Sequence, residues 1–135
     1  MAETEPRDGR ELARRPRLEP ELVAEQWTTH TATLELRVPG DLDCWPGHFP
    51  GRSIVPGFLQ LAWVMSLATR WVGSSPQVRR IEGLKFKNVL CPGERFTLTL
   101  ERADEGAALR FRLAKGSRAF SLGRFVLAGE DGSGR

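Results

Sequence analysis

Residues 57–72, GFLQLAWVMSLATRWV, constrain the fold more than any other stretch, because apolar side chains recur on every side of a helix of that length. Such a helix must be covered all round, by a sheet or by a partner subunit. Pro56, Gln60, Arg70 and the short run argue against a membrane span. The segments after the helix supply a cover. RRIEGLKFKNVL, ERFTLTLER, AALRFRLA and RAFSLGRFVLA are four stretches with largely period-two patterning, separated by Gly, Pro or acidic turns. Upstream, TATLELRV alternates over residues 31–38, with Ala32, Leu34, Leu36 and Val38 on one face, and Pro39 and Gly40 end it. Short connections favour antiparallel neighbours, so the pattern predicts an antiparallel sheet curled around one central helix. Gly83 and Gly123 interrupt their alternations and are expected as bulges that help the curl.

The chain of 135 residues is sized for one domain. Residues 1–19 are charged and lack apolar periodicity, which predicts a disordered or loosely docked arm before a folded unit over 20–128. Residues 129–135 are expected to form a flexible tail. The N-terminal segment has no apolar core of the secretory type. Cys44 and Cys91 are too few for a disulfide framework and have no partners at metal-ligand spacing, so they are expected as reduced thiols in a cytoplasmic protein with no metal. A net charge of +3 with a pI near 9.4 is too mild to imply nucleic acid without a dense basic stripe or a reader motif. It suits an acidic protein partner at least as well.

The segment ahead of the helix, GHFPGRSIVPG, holds the chemistry. Pro50 and Pro56 stiffen it, while Gly51 and Gly57 permit close backbone approach. The first N–H groups of the helix lack internal partners and point, with the positive end of the macrodipole, at whatever lies beside the turn. A carbonyl oxygen gaining negative charge would be stabilised there. His48, with an ordinary pKa near 6.5, is suited to exchange a proton with the same ligand. His30, among threonines before a strand, reads as surface.

GHFPGRSIVPGFLQL together with LKFKNVLCPGE resembles the hot-dog-fold 3-hydroxyacyl-acyl-carrier-protein dehydratases, and QLAWVMSLAT is most similar to the branch found beside aryl-polyene and related polyketide-like lipid clusters. The resemblance covers about residues 30–128 and implies an α+β hot-dog fold. It also implies a substrate carried as a thioester on the phosphopantetheine of an acyl carrier protein, with no further cofactor. In such enzymes the residue matching His48 removes the α-proton and the N–H matching Gly57 polarises the thioester carbonyl. A carboxylate fourteen residues after the histidine protonates the departing hydroxyl, and here that position is Ala62. No Asp or Glu occurs between Cys44 and Ile81, so no neighbouring acid replaces it.

The resemblance therefore implies dehydration to a trans-2-enoyl thioester, weakened by the missing acid. The alternatives are a noncatalytic carrier-binding or heterodimer partner subunit and a hot-dog thioesterase. Phe49, Pro50, Val55, Pro56, Phe58, Leu59 and Gln60 are candidate substrate-lining residues, with core packing as the competing explanation for the apolar ones and a satisfied buried polar group for Gln60. Arg52, Arg70, Arg79, Arg80, Lys85 and Lys87 oppose only Glu82 over residues 44–87, which makes them candidates for a carrier-docking face or simply a solvated one. Family members join two sheets edge to edge, so a homodimer or a heterodimer with a related subunit is expected.

Overall fold

In the computed structural model of the chain, residues 19–40, 54–73 and 76–128 are described. The expected arm and tail lie outside them, apart from residue 19. Six strands and one long helix follow in the order β1 (Glu21–Trp27), β2 (Thr31–Arg37), α1 (Gly57–Val72), β3 (Val78–Phe86), β4 (Arg95–Ala103), β5 (Ala108–Lys115) and β6 (Arg118–Leu127). They form one sheet, β1-β2-β4-β5-β6-β3, with every neighbouring pair antiparallel. The chain leaves β2, runs through α1 to the far edge at β3, and returns to pair β4 with β2. This crossover lays α1 against the sheet.

Alternation decides which side chains meet the helix. Leu34 and Leu36 of β2, Phe96, Leu98 and Leu100 of β4, Leu109, Phe111 and Leu113 of β5, and Phe120 and Phe125 of β6 join Leu59, Trp63, Val64, Leu67 and Ala68 of α1 in one core. Trp63 stacks on Phe96, ring centroids 6.0 Å apart at 14°. Thr97, Thr99 and Glu101 of β4 and Arg110 and Arg112 of β5 occupy the opposite face, as period two requires. Gly73 ends the helix in the left-handed region, φ 86°, and donates its N–H to Thr69 O at 2.9 Å.

The sheet covers one side of α1 only. Phe58, Ala62, Ser66 and Arg70, four residues apart in series, make an exposed stripe, with Phe58 63% exposed. Two other expectations need correction. The bulge is at Gly83, where Gly83 and Leu84 stand against a single residue of β6 between the pairs Glu82–Arg124 and Lys85–Leu122. That single residue is Gly123, which pairs regularly with Phe111; a Cβ on it would lie 3.0 Å from the Phe111 ring. Gly123 thus makes room for a core ring and is not itself the bulge. The second is β1, which the hydrophobic pattern did not predict, for its residues are nearly all exposed and backbone pairing with β2 defines it.

Candidate active site at the N-terminus of the central helix

Pro56 precedes α1 in extended conformation, φ −65° and ψ 156°, and makes no side-chain cap. Its carbonyl accepts from Leu59 N and Gln60 N, both at 3.1 Å. The Gly57 N–H, at the positive end of α1, has no acceptor among the described residues. The preceding segment is held by Val55, which is buried and donates its N–H to Leu90 O at 2.8 Å. The loop carrying Leu90 is pinned in turn: Gly93 N donates to Val38 O and Cys91 N to Glu94 Oε1. The two sequence blocks that carried the family resemblance are therefore joined here by a direct hydrogen bond.

Gly57 is a point of close approach. A Cβ on it would lie 2.7 Å from Cζ of Phe86, whose half-exposed ring reaches from the end of β3 to the helix start. Gly57→Ala is expected to cost about 1–3 kcal/mol by overpacking. Phe86→Ala should relieve most of it, so chemical denaturation of the two single variants and the double variant is expected to show strong non-additivity. Additive costs would mean that the ring swings away freely.

Gln60 is 3% exposed and donates Nε2 to Val55 O at 3.2 Å, while its Oε1 has no partner among the described residues. Leu59 is buried in the core, Pro56 is half-buried, and Phe58 faces outward. Ala62 lies on the exposed stripe of α1 one turn beyond Phe58. His48, Phe49, Pro50 and Arg52 lie outside the described residues.

The candidate docking residues do not form one patch. Arg70, near the C-terminal end of α1, pairs with Glu25 at 3.8 Å and lies 5.8 Å over the Trp27 ring. Arg80 is tied to Glu82 at 2.7 Å. Arg79 and Lys85 on β3 and Lys87 just beyond it are exposed and make no ion pair among the described residues. Arg112, unanticipated from sequence, stands two strands from Lys85 on the outer face, with Leu122 between them in register. It lines an open cleft of about 800 Å³ together with Arg110, Arg124, Glu82 and Glu101.

Sequence reading also missed Phe86 and Ser121, the latter fully buried with a hydroxyl that has no partner among the described residues. The alternation of β6 carried a signal for Ser121, because Gly123 and Phe125, two and four residues on, are also buried. Among the described residues no group of three or more His, Cys, Asp or Glu is placed to hold a metal, and no helix is long and apolar enough to cross a membrane.

The profile of the ApeI-like family, described as ApeI dehydratase, matches residues 24–124. No curated protein matches the chain. Among solved structures, the dehydratase heterocomplex ApeI:P from Xenorhabdus doucetiae is similar at 28% identity and a TM-score of 0.72, over 81% of this chain and 97% of that one. An uncharacterized protein from Erwinia carotovora subsp. atroseptica is similar at 30% identity and a TM-score of 0.65, over 81% and 95%. Thioesterase superfamily member 2 from Mus musculus shares the fold at 15% identity and a TM-score of 0.60, over 82% and 83%. With the antiparallel sheet around a single long helix, the segment joined to the loop of Leu90, and a family match spanning most of the folded unit, the chain belongs to the ApeI-like dehydratases and has their hot-dog fold.

Proposed function

We propose that the chain acts on 3-hydroxyacyl thioesters of an acyl carrier protein, as the proton-abstracting half of a dehydratase site whose acid is missing. The observation that supports this most is the start of α1, where Pro56 offers no side-chain cap and the Gly57 N–H has no acceptor among the described residues, in a chain of the dehydratase family. In this reading the thioester carbonyl accepts from Gly57 N–H, and His48 takes a proton from the adjacent carbon. The negative charge that develops on the carbonyl oxygen is stabilised by that donor and by the helix dipole. The pair of electrons left by the proton then forms the C2–C3 double bond and expels the hydroxyl. Protonation of that hydroxyl is the step that Ala62 cannot assist, so elimination is slow in this chain alone.

A second reading, that the chain works as one subunit of a heterodimer, is favoured by two observations. The exposed stripe through Ala62 leaves the position of the acid open, and β3 is an edge strand with Ile81, Leu84 and Phe86 exposed, followed by exposed Val89. An apolar edge of this kind invites a second sheet. The Xenorhabdus relative is itself part of a dehydratase heterocomplex. A charged replacement at the edge, Ile81→Lys with Phe86→Glu, is expected to shift the assembly to monomer in light scattering. An unchanged mass would place the partner elsewhere. The acidic carrier is proposed to approach Arg79 and Lys85 of β3, Lys87 just beyond it and Arg112 of β5, exposed cations without ion pairs among the described residues.

Intact-mass analysis of a carrier loaded with a 3-hydroxyacyl thioester tests the reaction. Slow loss of one water, abolished by His48→Ala, supports dehydration. Release of free carrier thiol would assign a thioesterase instead, and an unchanged carrier would leave only the noncatalytic subunit.

A further inference from the structure

A hollow of about 490 Å³ opens between the β1–β2 turn and the β4–β5 turn, lined by Thr29, His30, Arg102, Glu105 and Gly106. Arg102 is held on the last turn of α1. Its guanidinium lies 4.7 Å over the Trp71 ring, and Trp71 is fixed in turn by donating Nε1 to Thr28 O at 3.1 Å. The backbone of Arg102 is tied to the first turn, donating its N–H to His30 O at 2.8 Å. Thr28 organises that turn, its Oγ1 accepting from His30 N at 3.2 Å and from Thr31 N at 2.9 Å. The walls are thus built by Thr28, Trp71 and backbone bonds, while the side chains of Thr29 and His30 make no hydrogen bond or ion pair among the described residues.

The charges in the hollow are unmatched within the chain. Arg37, Arg102 and Arg124 are the half-buried arginines among the described residues. Arg37 pairs with Glu21 at 2.8 Å, and Arg124 pairs with Glu82 and Asp104. Arg102 holds no carboxylate among the described residues, and its buried Nε has no hydrogen-bond partner there. A guanidinium does not shed its charge, so a half-buried one without a counter-charge is costly, and the face of Trp71 offsets only part of that cost. Glu105 lines the same hollow, and it too makes no ion pair among the described residues. Its backbone is left-handed, φ 55°, directly after Asp104 at φ 52°. Two such residues in succession are uncommon, and folds keep them where ligand sites require a side chain to be aimed. The ion pair with Arg124 draws Asp104 to the outer face of the sheet and leaves Glu105 to the hollow.

We propose that this hollow binds a small zwitterion of the α-amino-acid type, with its carboxylate on Arg102 and its ammonium group on Glu105. A cation and an anion that line one hollow without pairing with each other are complementary to a molecule that carries both charges. A simple anion there meets the carboxylate of Glu105, and a simple cation meets Arg102, so each gains one contact and suffers one repulsion. The Thr29 hydroxyl and the His30 ring supply further hydrogen-bonding groups on the opposite wall. Trp71, on which Arg102 rests, follows Gly57 by fourteen residues, about 21 Å along the helix. The site is therefore separate from the helix start and does not depend on the acyl-thioester reading.

The common α-amino acids, titrated one at a time into the full chain, test this by tryptophan fluorescence and by the NMR shifts of the His30 ring. At least one is expected to bind with a dissociation constant of about 1 mM or tighter. For that amino acid, the N-acetylated form, which removes the ammonium charge, and the amide, which removes the carboxylate, should each bind about 10-fold more weakly or worse. Glu105→Gln should bring the amino acid and its N-acetylated form to similar affinity, and Arg102→Gln should do so for the amino acid and its amide. The blocked ligands make the test on the unaltered protein, so it stands even where Arg102→Gln loosens the contact with Trp71. Binding of no amino acid at 10-fold above that concentration overturns the inference. So does equal binding of the blocked forms, and so does a Glu105→Gln variant that still discriminates against the N-acetylated form, which would make the hollow a site for anions alone.

Discussion

Ala62→Asp is expected to raise the rate of water loss from a 3-hydroxyacyl carrier thioester by about 10²- to 10⁴-fold, the usual contribution of a general acid. The expectation is this large because the remaining components do not need to be rebuilt. The helix start, a Gly57 N–H with no acceptor among the described residues, and the HFPG sequence are present in the chain. Ala62 is exposed on the stripe with Phe58 and Ser66, so a carboxylate there is not driven into an apolar core and remains ionisable without a large desolvation penalty. Intact mass of the carrier, sampled over time for both proteins, reads the ratio directly. A gain of less than about threefold would mean that position 62 does not face the reacting hydroxyl, since even a modest general acid gives more.

Phe96→Ala is expected to destabilise the fold by about 3–5 kcal/mol. Phe96 is 2% exposed, stacks on Trp63 of α1, and lies on β4 between β2 and β5. It therefore joins helix to sheet at the strand that closes the crossover. Removing the ring leaves a cavity between two rigid layers that cannot collapse onto each other without moving several strands. Urea unfolding followed by tryptophan fluorescence measures the loss, since Trp63 is the ring's immediate neighbour. A cost below about 1 kcal/mol would require the helix to resettle against the sheet, contrary to the close packing expected of such a core.

The sequence made the helix legible because its pattern and its stop signals agree: an apolar run over 57–72, Pro56 before it and Gly73 after it, and the structure begins and ends α1 at those residues. The strand expected over 31–38 is Thr31–Arg37, and the four strands after the helix all occur. These segments have one wet face and one dry face, and alternation records that difference. β1 has no such record. Leu22 and Val23 are both exposed, a register shift falls between Leu22 and Ala24, and the strand exists through its ladder with β2. Edge strands held by backbone pairing carry little hydrophobic signal.

The candidate site was legible in a different way. HFPG, Pro56-Gly57 and the absent acid at Ala62 are properties of the chain order, readable without coordinates. Phe86 and Ser121 are contributed by strands far from the helix in sequence. Only the pairing of β3 with β6 and the reach of the Phe86 ring to Gly57 bring them to its N-terminus. The docking set shows the converse. Arg70 is close in sequence to the other cations, yet α1 carries it to Glu25 and Trp27 of β1, away from β3.

The central claim is that this chain keeps proton abstraction and lacks hydroxyl protonation, and hydrogen exchange at C2 separates the two. A carrier-bound saturated acyl thioester, which has no hydroxyl to lose, is incubated with the chain in deuterated water and its mass followed. The account predicts deuterium uptake at C2 that disappears in His48→Ala and is unaffected by Ala62→Asp. No uptake above the rate without protein would contradict it and leave the chain as a noncatalytic member of its family.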